Sequence, residues 1–339
     1  MLALPVSRSL KAYVALALAA TMSVLVSACD SNKNATSVPG LVLSGAEVRQ
    51  WESEATALGD RYHNAWPDVG EAFADFAEDA TFYDPTDGDF LIEGKALIVS
   101  AHQAMAGFFV TMDTQTTGVY LAAEDAAYTV DWINLWPPWV PEPPDHPPVG
   151  GIEVFHVNDG LVTNQDLWFT EETLKMTGLG CFAAGGCSTE LREIADRYVK
   201  AWSSGDRDLV AALYSKDAVF SDSMFGLKTE GASSIGDLAD RRFLTNGDIT
   251  LEVLRLYAQT NHYLPPTEAS PDLGRIIGVG IHYRWTVTID GKVTTAESLT
   301  TFEFGTRHGK AFDIDPSTLI TREEVFHDPA SLLAADLAP

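Results

Sequence analysis

Positive charge is scarce in this sequence. Its 339 residues carry 22 Lys and Arg against 48 Asp and Glu, for a formal charge of −26. That deficit argues against a nucleic-acid partner, whose phosphates need cations to neutralise them, and against a basic patch that reads anionic lipid. Only three cysteines are present, and no Cys-x-x-Cys pair. The eight histidines are scattered without His-x-x-x-His spacing, so no metal site is expected from the sequence. A glycine-rich phosphate loop is missing, as is a Gly-x-Ser-x-Gly elbow, and no cofactor is expected. The longest apolar run, Ala12 to Val26, is too short to span a bilayer comfortably.

What remains is an ordinary globular composition, 46% apolar, at a length that suits two domains. The sequence writes one stretch twice. Gly59-Asp60-Arg61-Tyr62-His63-Asn64-Ala65-Trp66 returns as Ala195-Asp196-Arg197-Tyr198-Val199-Lys200-Ala201-Trp202, an offset of 198 − 62 = 136. Asp84 returns as Asp222, 138 positions on. A period this long means two whole domains, since solenoid units run to roughly 20–50 residues.

At the amino end, Arg8 and Lys11 precede the apolar run, as in an export signal. The run ends Val26-Ser27-Ala28-Cys29, which resembles the lipobox of bacterial lipoproteins. The alternative is an ordinary secretory signal. By the resemblance, residues 1–28 are removed and Cys29 is lipidated, with 29–43 a flexible tether. The protein would then be an envelope lipoprotein, anchored to the membrane on its extracytoplasmic side. Asp30 after that cysteine resembles an inner-membrane retention signal. With Cys29 lipidated, Cys181 and Cys187 remain, and an exported chain with an even remainder predicts one disulfide between them, against two free thiols.

Ser44 with Glu47 has capping-box spacing, and Val48, Trp51, Ala55, Leu58 and Tyr62 recur at helical intervals, predicting a helix over 44–64. Further helices are predicted near 69–77 and 95–109, followed by strands over 118–123, 127–136, 151–158 and 161–170. Asn158-Asp159-Gly160 is a hairpin turn between the last two. The second copy repeats the order, with helices at 191–203, 208–214 and 233–243. Its strands are expected at 251–259, 275–289, 292–304 and 319–327. Helices followed by a run of antiparallel strands give an α+β fold.

Tyr-x-x-Ala-Trp, then Asp-Ala-x-Phe-x-Asp, then Glu-Gly before a helix, then a terminal Gly-Leu-Val-Thr or Thr-Leu-Ile-Thr strand resembles the SnoaL-like polyketide cyclase and ketosteroid isomerase superfamily, also called nuclear transport factor two-like. The resemblance implies two tandem cone-shaped α+β barrels, three helices wrapped in a curved antiparallel sheet, at 44–172 and 188–328. Residues 173–187 would be the linker and 329–339 a tail. It also implies candidate catalytic residues: Tyr62 and Glu153 as oxyanion donors and Asp84 as general base, with Tyr198 and Asp222 as counterparts. Such a set suits acid–base chemistry beside a carbonyl. Two departures stand out: Glu153 replaces an aspartic acid, and Thr300 falls at its place in the second copy.

A cone-shaped pocket would be lined by Trp66, His102, Trp132 and Phe155 in the first copy, and by Trp202 and Trp285 in the second. Trp132 to Trp139 leads into a proline-rich loop, which reads as a lid or as packing between the copies. Three functions stay open: binding of a small hydrophobic molecule, a cofactor-independent isomerase, cyclase or dehydratase, and an interaction scaffold. The copies are expected to pair within the chain or to form a homodimer.

Overall fold

The computed structural model describes residues 44–87, 90–106, 113–122, 125–133, 149–184, 186–246, 249–270, 272–289, 292–308, 311–313 and 319–334. Residues 1–43, read from the sequence as an export signal, Cys29 and a tether, and the proline-rich stretch 134–148 lie outside them.

Helix α1 (Gly45–Ala65) begins where the sequence signals it. The Ser44 hydroxyl accepts the Glu47 N–H, and the Glu47 carboxylate accepts the Ser44 N–H. Val48, Ala55, Leu58 and Tyr62 are buried on one face of α1, as its period requires. The next helix, α2 (Val69–Ala72), is shorter than the predicted 69–77. Phe76 instead opens a strand, β1 (Phe76–Asp84), which pairs antiparallel with β2 (Phe90–Glu93). Phe73 and Phe76 sit at helical spacing, but Ala80, Phe82 and Asp84 alternate inward at period two, and the strand pattern prevails.

After α3 (Lys95–Ala106) come β3 (Asp113–Ala122), β4 (Asp125–Ile133), β5 (Val149–Asn158) and β6 (Leu161–Thr170), an antiparallel run. The turn between β5 and β6 places Asp159 at φ 52° and Gly160 at φ 79°, the positive values a tight hairpin demands. β1 lies parallel to β6, a pairing the antiparallel expectation did not contain.

A short helix, α4 (Glu171–Thr177), and the Cys181–Cys187 disulfide lead into α5 (Cys187–Ser204). The order then recurs: α6 (Arg207–Ala211), β7 (Tyr214–Asp222), β8 (Leu227–Glu230), α7 (Ala232–Asn246), β9 (Ile249–Thr260), β10 (Ile276–Ile289) and β11 (Lys292–Phe304). A small hairpin of β12 (Thr306–His308) and β13 (Ala311–Asp313) precedes β14 (Ile320–His327), which lies parallel to β7 as β6 does to β1. The stretch read as a tail holds α8 (Pro329–Ala334), and its Leu332 is fully buried in the core of the first half.

The two halves share one sheet. β6 pairs with β9 at Phe169↔Ala258 and Thr170↔Tyr257, and β14 pairs with β3 at His327↔Leu121. Because β14 also pairs with β11, the hydrogen-bonded path through β3, β4, β5, β6, β9, β10, β11 and β14 closes on itself. Where the halves meet, closure covers both faces of β5. In β5, Glu153 and Phe155 meet α1, whereas Ile152 and Val154 join a separate core with Tyr120, Trp168, Tyr257, Leu299 and Phe326. That core is the seam between the halves, and it explains why β5 is buried continuously from Val149 to Phe155. Only glycine fits at position 151, where a Cβ would stand 2.1 Å from the Trp168 carbonyl oxygen.

Candidate functional site

The inward face of α1 and the facing strands β5 and β6 bring together most of the first-half candidates. Tyr62 is 4% exposed, and its hydroxyl accepts a hydrogen bond from Gln165 Nε2 at 3.1 Å. The same amide donates to Glu153 Oε2 at 3.2 Å. His63 Nε2 also meets that oxygen, at 3.3 Å, while the Thr116 hydroxyl lies 2.7 Å from His63 Nδ1. In the tautomer where Thr116 donates to Nδ1, the Nε2–H donates to Glu153. Glu153 therefore accepts two N–H groups on one oxygen, a role opposite to the donor that the family resemblance implies. Burial, followed by the charge of Glu153, pushes the Tyr62 phenol well above its ordinary value.

Aromatic rings enclose this network. Tyr62 meets Trp66, Phe73, Phe76 and Phe155 at centroid distances of 5.1–6.2 Å, mostly edge to face. His102 on α3 packs against Phe73 and Phe82, each at 4.6 Å, and against Trp66. Its Nδ1 lies 2.8 Å from the Ile98 carbonyl, which fixes Nδ1 as the donor and leaves Nε2 as an acceptor. Burial holds its pKa below the usual histidine value. Trp132 lies further along, against Phe169. Asp84 ends β1, where its Oδ1 accepts the Thr86 N–H across the Asp84-Pro85 turn.

Gln165 Oε1 is buried and unpaired among the described residues. Such an oxygen costs roughly 1–3 kcal/mol if nothing donates to it. It sits on the same side chain that binds Tyr62 and Glu153, inside the aromatic enclosure.

The second half arranges the same parts differently. Thr300 on β11 takes the place of Glu153, and Glu323 on β14 takes the place of Gln165. The carboxylate has moved to the neighbouring strand. Fully buried, Glu323 accepts Tyr198 at 2.6 Å, Thr300 at 2.9 Å and also the Tyr214 hydroxyl. Trp202 Nε1 donates to Tyr214 at 3.2 Å. Burial first, and the Glu323 charge next, raise the phenols of Tyr198 and Tyr214 well above their ordinary range. A cavity of about 30 Å³ beside Tyr198, lined by Ile194, Phe302, Phe304 and Leu319 among others, is far below the roughly 300–1,000 Å³ of a ligand pocket.

Asp222 belongs to another network. His327 Nε2 is 3.0 Å from Asp222 Oδ1, and His327 Nδ1 is 2.7 Å from Ser298 Oγ, which accepts Trp285 Nε1–H at 3.0 Å. Trp285 packs against the cores of both halves. The candidates therefore divide. Tyr62, Glu153, Trp66, His102 and Phe155 gather in the first half, and Tyr198 and Trp202 in the second. Trp285 and Asp222 meet near the junction. Sequence reasoning missed Gln165 and Glu323. Aligning Leu161-Val162-Thr163-Asn164-Gln165 with Leu319-Ile320-Thr321-Arg322-Glu323 sets Gln165 opposite Glu323, and that register was the available signal.

The family model of the SnoaL-like domain matches residues 195–314. No curated protein matches the sequence. Among solved structures, a Catenulispora acidiphila protein with a ketosteroid isomerase-like fold, in complex with trimethylamine, is 17% identical. The alignment covers 43% of this chain and 94% of that one, at a TM-score of 0.32. A protein from Shewanella denitrificans described as a SnoaL-like polyketide cyclase is 16% identical over 44% of this chain and 97% of its own, with a TM-score of 0.30. One from Kribbella flavida described as a ketosteroid isomerase is 20% identical over 34% and 78%, with a TM-score of 0.28. Residues 195–314 are a SnoaL-like domain, set in a mixed α+β, sheet-rich fold.

Proposed function

We propose that this chain is an envelope lipoprotein built of two SnoaL-like units paired through their sheets, and that the first unit binds a small, hydrophobic, ring-bearing molecule. The second unit, its carboxylate fully engaged by its own hydroxyls, is the structural partner. One observation carries the choice: Gln165 Oε1 is a buried, unpaired acceptor beside a tyrosine whose hydroxyl is accepting, all within an aromatic enclosure. A ligand hydroxyl or N–H would satisfy Gln165, and a ligand acceptor would take the Tyr62 proton. In the second unit Tyr198 already gives its proton to Glu323.

Paired substitutions test this reading. With 2-naphthol as a ring-bearing probe, Tyr62→Phe should weaken binding several-fold, as expected for one hydrogen bond of about 0.5–1.5 kcal/mol. Tyr198→Phe should leave binding unchanged. Equal effects from the two changes would remove the distinction between the units. Turnover of an enone probe that Asp84→Asn abolishes would replace binding by catalysis.

The anchor rests on the Val26-Ser27-Ala28-Cys29 sequence. Cys29→Ser should move the protein from the membrane fraction to the soluble one, and unchanged membrane association would refute lipidation at that residue.

A further inference from the structure

At one end of the seam, His156 of β5 stands among carboxylates from both halves. Its Nδ1 lies 3.1 Å from Asp125 Oδ2, and the other Asp125 oxygen accepts the Val157 N–H at 2.8 Å. This clamp fixes the ring and turns Nε2 toward Asp166 of β6, at 3.7 Å, and Glu324 of β14, at 3.9 Å. Those two separations are long for hydrogen bonds. They are close to the roughly 3.3–3.6 Å between neighbouring ligands around a tetrahedral zinc ion with bonds of about 2.0–2.2 Å. The group whose ligand atoms all fall within 4.8 Å of one another is Asp125, His156 and Glu324, with Asp166 joining it through His156 alone.

We propose that a divalent transition-metal cation binds here, between the halves, on His156 Nε2 with the carboxylates of Asp166 and Glu324, while Asp125 holds the ring from behind. A metal-bound histidine whose second nitrogen donates to a carboxylate is the usual outer-shell arrangement. The site has space of the right size: a cavity of about 10 Å³ is lined by His156, Asp166, Glu324, Glu303 and Trp168. Trp168 is 2% exposed, and its indole N–H is buried and unpaired among the described residues. A water or hydroxide on the ion would accept it. Arg322 approaches Glu324 at 3.6 Å but is about half exposed, so it can withdraw to solvent.

Charge favours the ion. With Asp125, Asp166 and Glu324 ionised, an imidazolium leaves this group at −2, whereas a neutral ring with a divalent cation leaves it at −1. The ion displaces the Nε2 proton, which passes to solvent. Ligands from three strands, far apart in sequence, carry none of the spacing by which metal motifs are recognised. This site is separate from the aromatic enclosure of the first half.

The test is equilibrium dialysis of the untagged full-length chain in detergent against Zn²⁺, with bound metal measured by mass spectrometry. The proposal expects one saturable equivalent per chain, removed by a chelator. Glu324→Gln and His156→Asn, each checked for folding by circular dichroism, should weaken it by about 10–100-fold. His262→Ala, at a surface histidine, should not. Wild-type protein without saturable Zn²⁺ binding would overturn the proposal whatever the variants do. So would binding that survives both substitutions in folded protein.

Discussion

Replacing Glu323 by alanine is expected to lower the unfolding free energy by about 2–5 kcal/mol. Glu323 is fully buried and accepts hydroxyls from Tyr198, Tyr214 and Thr300. Truncation leaves the two buried phenol donors, Tyr198 and Tyr214, without this acceptor, each costing roughly 1–3 kcal/mol before relaxation, while Thr300 keeps the Glu324 carbonyl at 3.2 Å. It also removes bonds strengthened by the carboxylate charge. Glu323→Gln keeps one acceptor oxygen but sets an NH₂ group against a phenol, so a loss of about 1–3 kcal/mol is expected. Urea unfolding of the three proteins measures both differences. A loss below about 1 kcal/mol for the alanine variant would mean that the network is not the support described here.

Alkaline titration should expose the same interior. Tyr62, Tyr198 and Tyr214 have phenols raised well above the ordinary value, chiefly by burial and next by an adjacent glutamate. Tyr257 is pushed up to about 12, chiefly by burial. In the unfolded chain these groups ionise near pH 10. Above that pH the folded state keeps protons that the unfolded state has released. Stability is therefore fully present below about pH 10 and is lost as pH rises toward the raised folded values. The slope is about 1.4 kcal/mol per pH unit for each tyrosine, or roughly 4 for the first three together. Tyrosinate absorbance near 295 nm should show a late, steep phase that coincides with loss of near-ultraviolet circular dichroism. A single gradual titration with the fold intact would contradict the buried, networked tyrosines.

Much of this architecture was legible because it is local. Ser44 and Glu47 mark a helix start within four residues, and Asn158-Asp159-Gly160 marks a hairpin within three. What the sequence concealed is non-local. The first two residues of β1 fall in the predicted 69–77 helix because Phe73 and Phe76 share helical spacing, and the strand's parallel partner β6 lies some 80 residues on. The seam was hidden because covering both faces of β5 erases the polar alternation that would show which side is outside. At the site, the family resemblance points to Tyr62 and Glu153 but not to Glu323. A carboxylate facing the same tyrosine can be carried by either of two adjacent strands, and the second half uses the one that holds glutamine in the first. In the sequence His63 is one of eight scattered histidines. Its role comes from Glu153, ninety residues away, and from Thr116.

The proposed division of labour also follows from single residues. Glutamine at 165 supplies a donor to Tyr62 and leaves an oxygen over, whereas glutamate at 323 consumes the proton of Tyr198. One amide-for-acid difference thus separates a tyrosine network that leaves an acceptor oxygen over from one whose carboxylate takes up its tyrosine's proton. Both lie on the inward face of a strand whose outward neighbours, Asp166 and Glu324, approach His156, the first from the adjacent strand and the second across the seam.

Native mass spectrometry of the full-length chain, released from detergent without prior extraction, bears most directly on whether one half is hollowed for a guest. A single small molecule should travel with the wild-type protein, be lost from Trp66→Ala, and stay with Tyr198→Phe. Bare protein mass from every preparation, with no uptake of 2-naphthol, would show that both interiors are filled by their own side chains.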